Sequence, residues 1–134
     1  MTHYTQYINY HVNLLLEFKA ATELLPPFIQ NAAFTDADQE FINTFEQLCQ
    51  ISQHSDSVNI QGQWLISRIV STYSHLTPLL TRDLLWFFGG DCLHYMPDDE
   101  ISFYQQLDEL RFTAEAAGNA FDVVVAKESL STTH

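Results

Sequence analysis

The densest polar cluster in the sequence is Asp91, His94, Asp98, Asp99 and Glu100, with Asp108 and Glu109 following two to three helical turns later. The spacing Asp91-x-x-His94 places a carboxylate and an imidazole on one helix face, and hard or borderline metals accept such ligands. A di-iron bundle, however, needs two Glu-x-x-His pairs and two further glutamates, and only one loosely similar pair is present. Asp91, His94, Asp98 and Asp99 are therefore a candidate ligand or metal cluster of a small enzyme. The competing reading is that Asp98, Asp99 and Glu100 compensate a helix N-terminus while His94 bonds locally.

A second pair suggests contact rather than chemistry. Arg82 and Trp86 stand at i, i+4, a spacing at which guanidinium and indole can stack, and both residue types are enriched at binding hot spots. They are the expected interface residues, in a homodimer or against another protein. The remaining histidines read as structural or solvated. His11 follows a polar face, His54-x-Asp56 lies in a loop, His75 suits a helix C-terminus, and His3 and His134 are terminal. No nucleophile elbow marks a Ser–His–Asp or Cys–His arrangement, so no catalytic residue is assigned and no cofactor is expected. Cys49 and Cys92, 43 positions apart without CxxC spacing, read as buried thiols.

The elements that must position these residues are helical. Tyr7, Ile8, Val12, Leu15, Phe18, Thr22 and Leu25 give a first amphipathic stripe, stopped by Pro26-Pro27. Residues Phe28 to Phe34 read as a connection that drops apolar side chains onto the core. Thr35 is the expected N-cap of a second helix to about Gln53, with Ala37, Phe41, Phe45, Leu48 and Ser52 inward. A third helix is expected from about Asn59 to His75, with Ile60, Trp64, Leu65 or Ile69, and Tyr73 inward. Thr77-Pro78 signals a helix start, Leu79 to Phe88 follows, and Gly89-Gly90 stops it with one glycine at φ > 0. Residues Asp91 to Met96 read as a loop or one short turn. Pro97 then opens the strongest helix, with the stripe Phe103, Leu107, Leu110, Ala114 and Ala117 and a stop at Gly118. Asp122 caps a last helix through Leu130. The pattern predicts an all-α fold: one domain over 1–134, a compact bundle of four main helices plus one or two short ones.

Composition narrows the function class. The 134 residues carry 17 Asp and Glu against five basic side chains, a formal charge of -12. So acidic a chain repels phosphate backbones and anionic lipid, which excludes electrostatic binding to nucleic acid or a membrane surface. Four glycines leave no P-loop or GxGxxG. The first ten residues lack a basic n-region, so the expected location is cytoplasmic.

From Leu65 to Asp122, under half of the chain, the sequence resembles a family of small uncharacterised bacterial proteins. The resemblance rests on Arg82-Asp83-Leu-Leu-Trp-Phe-Phe-Gly-Gly-Asp-Cys-Leu-His94, on Tyr95-Met96-Pro97-Asp98, on Gln105-Gln106-Leu107-Asp108-Glu109 and on the pair Phe121-Asp122. Some such proteins are called dehydrogenases, but this chain has no dinucleotide or flavin motif to support that activity. The expected function is non-enzymatic protein–protein contact. The alternatives are the Asp91/His94 enzyme and an acidic decoy for a basic nucleic-acid-binding protein.

The acids after Pro97 give a direct test. Each should stabilise the helix start by a few tenths to about 1 kcal/mol. Replacing Asp98 and Asp99 with Lys should lower the melting temperature in thermal circular dichroism while preserving the helical signal at low temperature.

Overall fold

Every apolar stripe in the sequence has helical spacing, and the computed structural model folds accordingly. It describes residues 3–29 and 34–133, with side chains at 6–29 and 34–131, so His134 and the side chain of His3 lie outside the described residues. Six α-helices follow in order: α1 His3–Glu23, α2 Asp36–Leu48, α3 Asp56–Thr72, α4 Arg82–Phe88, α5 Asp98–Ala116 and α6 Val123–Thr133. Two 3-10 turns, Ser74–Leu79 and Gly90–Tyr95, flank α4, and no strand occurs among the described residues. The all-α bundle expected from periodicity is the fold adopted.

The central element is α3, which packs against α2, α4 and both 3-10 turns, while α1 lies against α2 and α4. At one end of the core Phe28, Phe41, Phe45, Phe18 and Tyr73 form a chain of ring contacts at 4.6–5.8 Å. Two caps fix the helices entering it. The Thr35 hydroxyl accepts from Asp38 N, and the Asp38 carboxylate accepts from Thr35 N at 2.9 Å, a reciprocal capping box. The buried Asp38 also accepts from Tyr73 Oη at 2.5 Å, which ties the start of α2 to the end of α3. Burial would raise its pKa, but these donors overcome that and hold it below the ordinary carboxylate value. Burial and the carboxylate together push the Tyr73 phenol up to about 12. Ser55 caps α3, and Asp122 Oδ1 accepts from Val125 N at the start of α6 as expected.

Several boundaries and stripes depart from the expectations. Helix α2 stops at Leu48, five residues before Gln53, and Asp38 rather than Ala37 faces inward because the capping box draws it in. In α3 the buried stripe is Val58, Gly62, Leu65, Ile66 and Ile69, which turns Ile60 out to 67% exposure. Pro78 lies inside the 3-10 turn rather than opening a helix, so α4 starts only at Arg82. Pro97 is the N-cap of α5, with the three acids in the first turn. There Leu107 is buried as expected, but Tyr104 and Arg111 face inward in place of Phe103 and Leu110, one position on, because Tyr104 bonds Asp83 of α4 and Arg111 packs on Tyr7 of α1. Both Gly89 and Gly90, not one, have positive φ, at 64° and 54°. Gly118 follows α5 at φ 72° in the left-handed stop expected of it.

The glycines at the α3–α4 contact are each required for a separate reason. A Cβ on Gly62 would lie 2.0 Å from Phe88 Cδ1, so the ring sits directly on the helix backbone. Gly89 combines φ 64° with ψ -152°, a region essentially restricted to glycine. A Cβ on Gly90 would meet the Gln63 side chain at 2.4 Å, and that side chain donates to Phe88 O at 3.1 Å. We expect Gly89→Ala and Gly90→Ala each to destabilise by about 1–3 kcal/mol. Gly62→Ala should cost as much or more in urea unfolding, since neither backbone nor ring has room to yield.

Candidate functional site

Asp83 lies in the first turn of the seven-residue α4, where an acid would ordinarily face solvent and the helix dipole. Here it is only 5% exposed, because it stands four residues before Phe87 on the same inward stripe. Three other helices answer the buried carboxylate. Oδ2 accepts from Tyr10 Oη of α1 at 2.5 Å, Oδ1 accepts from Tyr104 Oη of α5, and Lys127 Nζ of α6 donates to both oxygens at 2.7 and 2.9 Å. Burial alone would raise the Asp83 pKa. The bonds from Lys127, Tyr10 and Tyr104 outweigh it and keep the group ionised below the ordinary carboxylate value. Burial, reinforced by the same bonds, raises the pKa of both tyrosines, which remain neutral donors.

Around this centre the polar groups are equally engaged. Trp86 Nε1 donates to Asp108 Oδ2 at 3.0 Å, and its ring stacks on Tyr104 with centroids 5.8 Å apart. The Arg111 guanidinium, buried on α5, lies 3.9 Å above the Tyr7 ring and 4.6 Å from that of Phe112. It pairs with Glu115 at 3.3 Å and Asp108 at 3.6 Å, while its Nε has no hydrogen-bond partner among the described residues. His11 is 3% exposed, so the polar-face assignment of this residue is overturned. Its place on α1 continues the stripe Tyr7, Ile8, His11, Leu15, Phe18 and Thr22. Nδ1 donates to Tyr7 O at 2.8 Å, which fixes the neutral tautomer, since a carbonyl can only accept. Burial pushes the imidazole down to about 4. Its ring stacks on Phe87 at 4.3 Å, and His54 stacks on the Phe87 ring at 4.1 Å. The cavity that these residues enclose is about 10 Å³ in volume, space for about one water and for no organic substrate.

The residues expected from the sequence to carry function lie elsewhere and apart. Arg82 does not take up the expected stack on Trp86. Its Nε and Nη2 donate to Glu100 at 2.7 and 3.0 Å and its Nη2 to Tyr95 O at 2.7 Å. A bidentate carboxylate is the stronger partner for a guanidinium, and the Trp86 ring is already occupied by Tyr104 and Asp108. Arg82 remains exposed and Trp86 half-buried. Asp91 and His94 are exposed on a groove between α3 and the turn Gly90–Tyr95, whereas Asp99 lines a different groove with Arg82, Glu100 and Phe103. Asp98 is exposed in the first turn of α5. Among the described residues, no three His, Cys, Asp or Glu side chains stand close enough to hold a metal ion. His75 bonds Pro26 O at 2.7 Å, and His54 bonds Asn59 Oδ1 at 2.6 Å. Both cysteines are free thiols, pushed up by burial to about 11 at Cys49 and about 12 at Cys92, and so are poor nucleophiles.

Sequence reasoning missed Tyr10, Tyr104, Lys127, His11 and Arg111. One signal could have found most of them. Asp83, His11, Tyr104 and Arg111 are polar residues occupying positions of an otherwise apolar helical stripe, and such residues must find partners inside the protein.

His11 and the buried carboxylates Asp83 and Asp38 make stability depend on pH in a defined direction. His11 has a folded pKa near 4 against about 6.5 unfolded, so the unfolded chain binds more protons between those values. Stability is complete above pH 6.5 and falls by about 3 kcal/mol as pH drops to 4. Asp83, also depressed, contributes stability present above its unfolded pKa near 4 and lost as pH falls further. We expect His11→Phe to flatten the loss between pH 6.5 and 4 in urea titrations. Asp83→Asn should cost about 3 kcal/mol at neutral pH and make the limb below pH 4 shallower, leaving the part that Asp38 contributes.

Among the described residues, no helix is long and apolar enough to cross a membrane. Comparison with curated proteins and with solved structures finds no match in either set. A family model does match, over residues 3–134, and by that match the chain belongs to the PA2817-like family.

Proposed function

We propose that this protein works without catalysis, through contact with another protein. The observation that carries this reading is where its reactive groups point. Among the described residues, the titratable side chains gathered around Asp83 are satisfied by one another, and the cavity beside that carboxylate is about 10 Å³. Large apolar side chains instead face outward, Ile60 at 67%, Tyr95 at 42% and Phe112 at 54% exposure. A protein that binds substrate needs convergent polar groups around an open pocket; a protein that binds proteins needs apolar anchors on its surface. Arg82 and the uncovered part of Trp86 remain candidate contact residues, for a second copy or for another chain, and the acidic surface favours a basic partner. A cytoplasmic location accords with this reading.

The test is affinity capture from native lysate with the full chain, followed by mass measurement of the eluted complex. One specific protein should be retained in stoichiometric amount, or the chain should self-associate. Retention should be lost on replacing exposed anchors with charged residues and kept in Asp36→Asn, a remote surface variant. A chain that remains a free monomer, and that gains ligand-dependent thermal stability requiring Asp91 and His94, would overturn the proposal in favour of a small-molecule site.

A further inference from the structure

We propose that the groove between α3 and the turn Gly90–Tyr95 docks a basic, amphipathic helix of a partner protein. This rests on the contact reading above and adds to it a place and a partner chemistry. The groove has a volume of about 430 Å³ and is lined by Ile60, Gln63, Trp64, Asp91, His94 and Tyr95 among others. Its apolar rim is supplied by Ile60 and Tyr95, both exposed, and by the half-buried Trp64. An isoleucine two-thirds exposed beside a tryptophan and a tyrosine is the composition of a hot-spot cluster lacking its covering residue.

The groove is also firmly built. One wall is held by Gln63, which donates to Phe88 O at 3.1 Å, and by Gly62, whose backbone carries the Phe88 ring. The other wall is anchored where Tyr95 O accepts from Arg82, itself paired with Glu100. Preorganised walls lower the ordering cost of binding. Among the described residues there is no strand whose edge could be extended, so the mode that fits two flanking helical walls is helix-in-groove.

Charge selects the occupant. Four of the five cations are already paired with carboxylates: Lys19 with Glu23, Arg82 with Glu100, Arg111 with Glu115 and Asp108, and Lys127 with Asp83. The fifth, Arg68, lies 5.5 Å from the Trp64 ring centre. The surface charge that remains is overwhelmingly acidic, within a formal total of -12. At the groove itself Asp91 is exposed, and Asp56 stands exposed one turn before Ile60 on the same face of α3. A helix presenting Leu or Ile between Lys and Arg residues meets apolar surface at its centre and carboxylates at its rim. A second copy of this chain would bring another -12 to the contact, and like charge opposes it.

The probe is a fluorescein-labelled synthetic Leu/Lys amphipathic helix of about 18 residues, titrated with the full chain and read by anisotropy. A peptide of the same composition with scrambled order reports charge alone. The patterned peptide should bind saturably and weaken with salt. Ile60→Ser, which removes the apolar anchor without adding charge, should weaken it by about tenfold or more, Asp91→Asn should weaken it severalfold, and the remote Glu109→Gln should change it by less than about twofold. Ile60 is exposed, so its substitution leaves the core intact. Equal binding of the scrambled peptide, an equal effect of the remote variant, or no binding at all would overturn the proposal. Concentration-dependent dimerisation in sedimentation that is abolished by Ile60→Ser would also overturn it, assigning the groove to a second copy. If lysate capture still yields a stoichiometric partner insensitive to Ile60→Ser, the groove assignment fails and the contact reading stands; if capture yields nothing and the chain stays a monomer, both fail.

Discussion

The architecture turns on one buried negative charge. The Asp83 carboxylate cannot lie inside a protein uncompensated, and its compensation comes from three different helices, a phenol on α1, a phenol on α5 and an ammonium on α6. The α5–α6 hairpin packs mainly on itself, so side-chain contacts decide how it is placed on the body. Around this point Trp86 to Asp108, Arg111 to Tyr7 and Arg82 to Glu100 join the same hairpin to α1 and α4. An apolar contact of similar size would also hold the hairpin, yet would tolerate sliding. Directional bonds to both oxygens do not.

The same economy explains the acidic surface. With five cations for 17 acids, a chain of this composition must place each cation where it matters. Lys127 and Arg111 neutralise inward-facing or half-buried carboxylates, and Arg82 joins α4 to α5. Little positive charge is left to interrupt the exposed carboxylates on α2, α3 and α5. The acidity of the exterior is thus partly a consequence of the interior having claimed the bases.

Legibility in the sequence followed the physics of each feature. Helix number, the Thr35 and Asp122 caps, the glycine stops and the acids opening α5 were readable because each depends on residues within one turn of one another. The phase of the inward stripes was less so. Phe103 against Tyr104 and Leu110 against Arg111 each differ by one residue's rotation, and apolar content alone favoured the less buried member of each pair. Arg111 is buried because Tyr7 and the carboxylates of Asp108 and Glu115 receive it, and Tyr7 lies more than a hundred positions away in the chain. Which residues answer Asp83 was illegible for the same reason, even though its place on an inward stripe signals that some must. The cluster's four members come from residues 10, 83, 104 and 127, and no spacing rule links them. The Arg82–Trp86 stack failed on competition: the i, i+4 geometry was available, but each partner had a stronger bond to make.

Helix α4 is where the closed and the open parts of the molecule meet. Its first turn carries Asp83 and its last residue, Phe88, packs on Gly62 and accepts from Gln63. The chain then passes through Gly89 and Gly90 directly into the 3-10 turn whose Asp91, His94 and Tyr95 wall the groove. Seven residues are too short to bend, so the two ends of α4 move together. The buried carboxylate therefore does more than hold the hairpin. By holding the start of α4 it helps set the position of the groove wall beyond its end, so the groove proposed as a docking site would take a rigid frame from a cluster that itself has no room for a ligand.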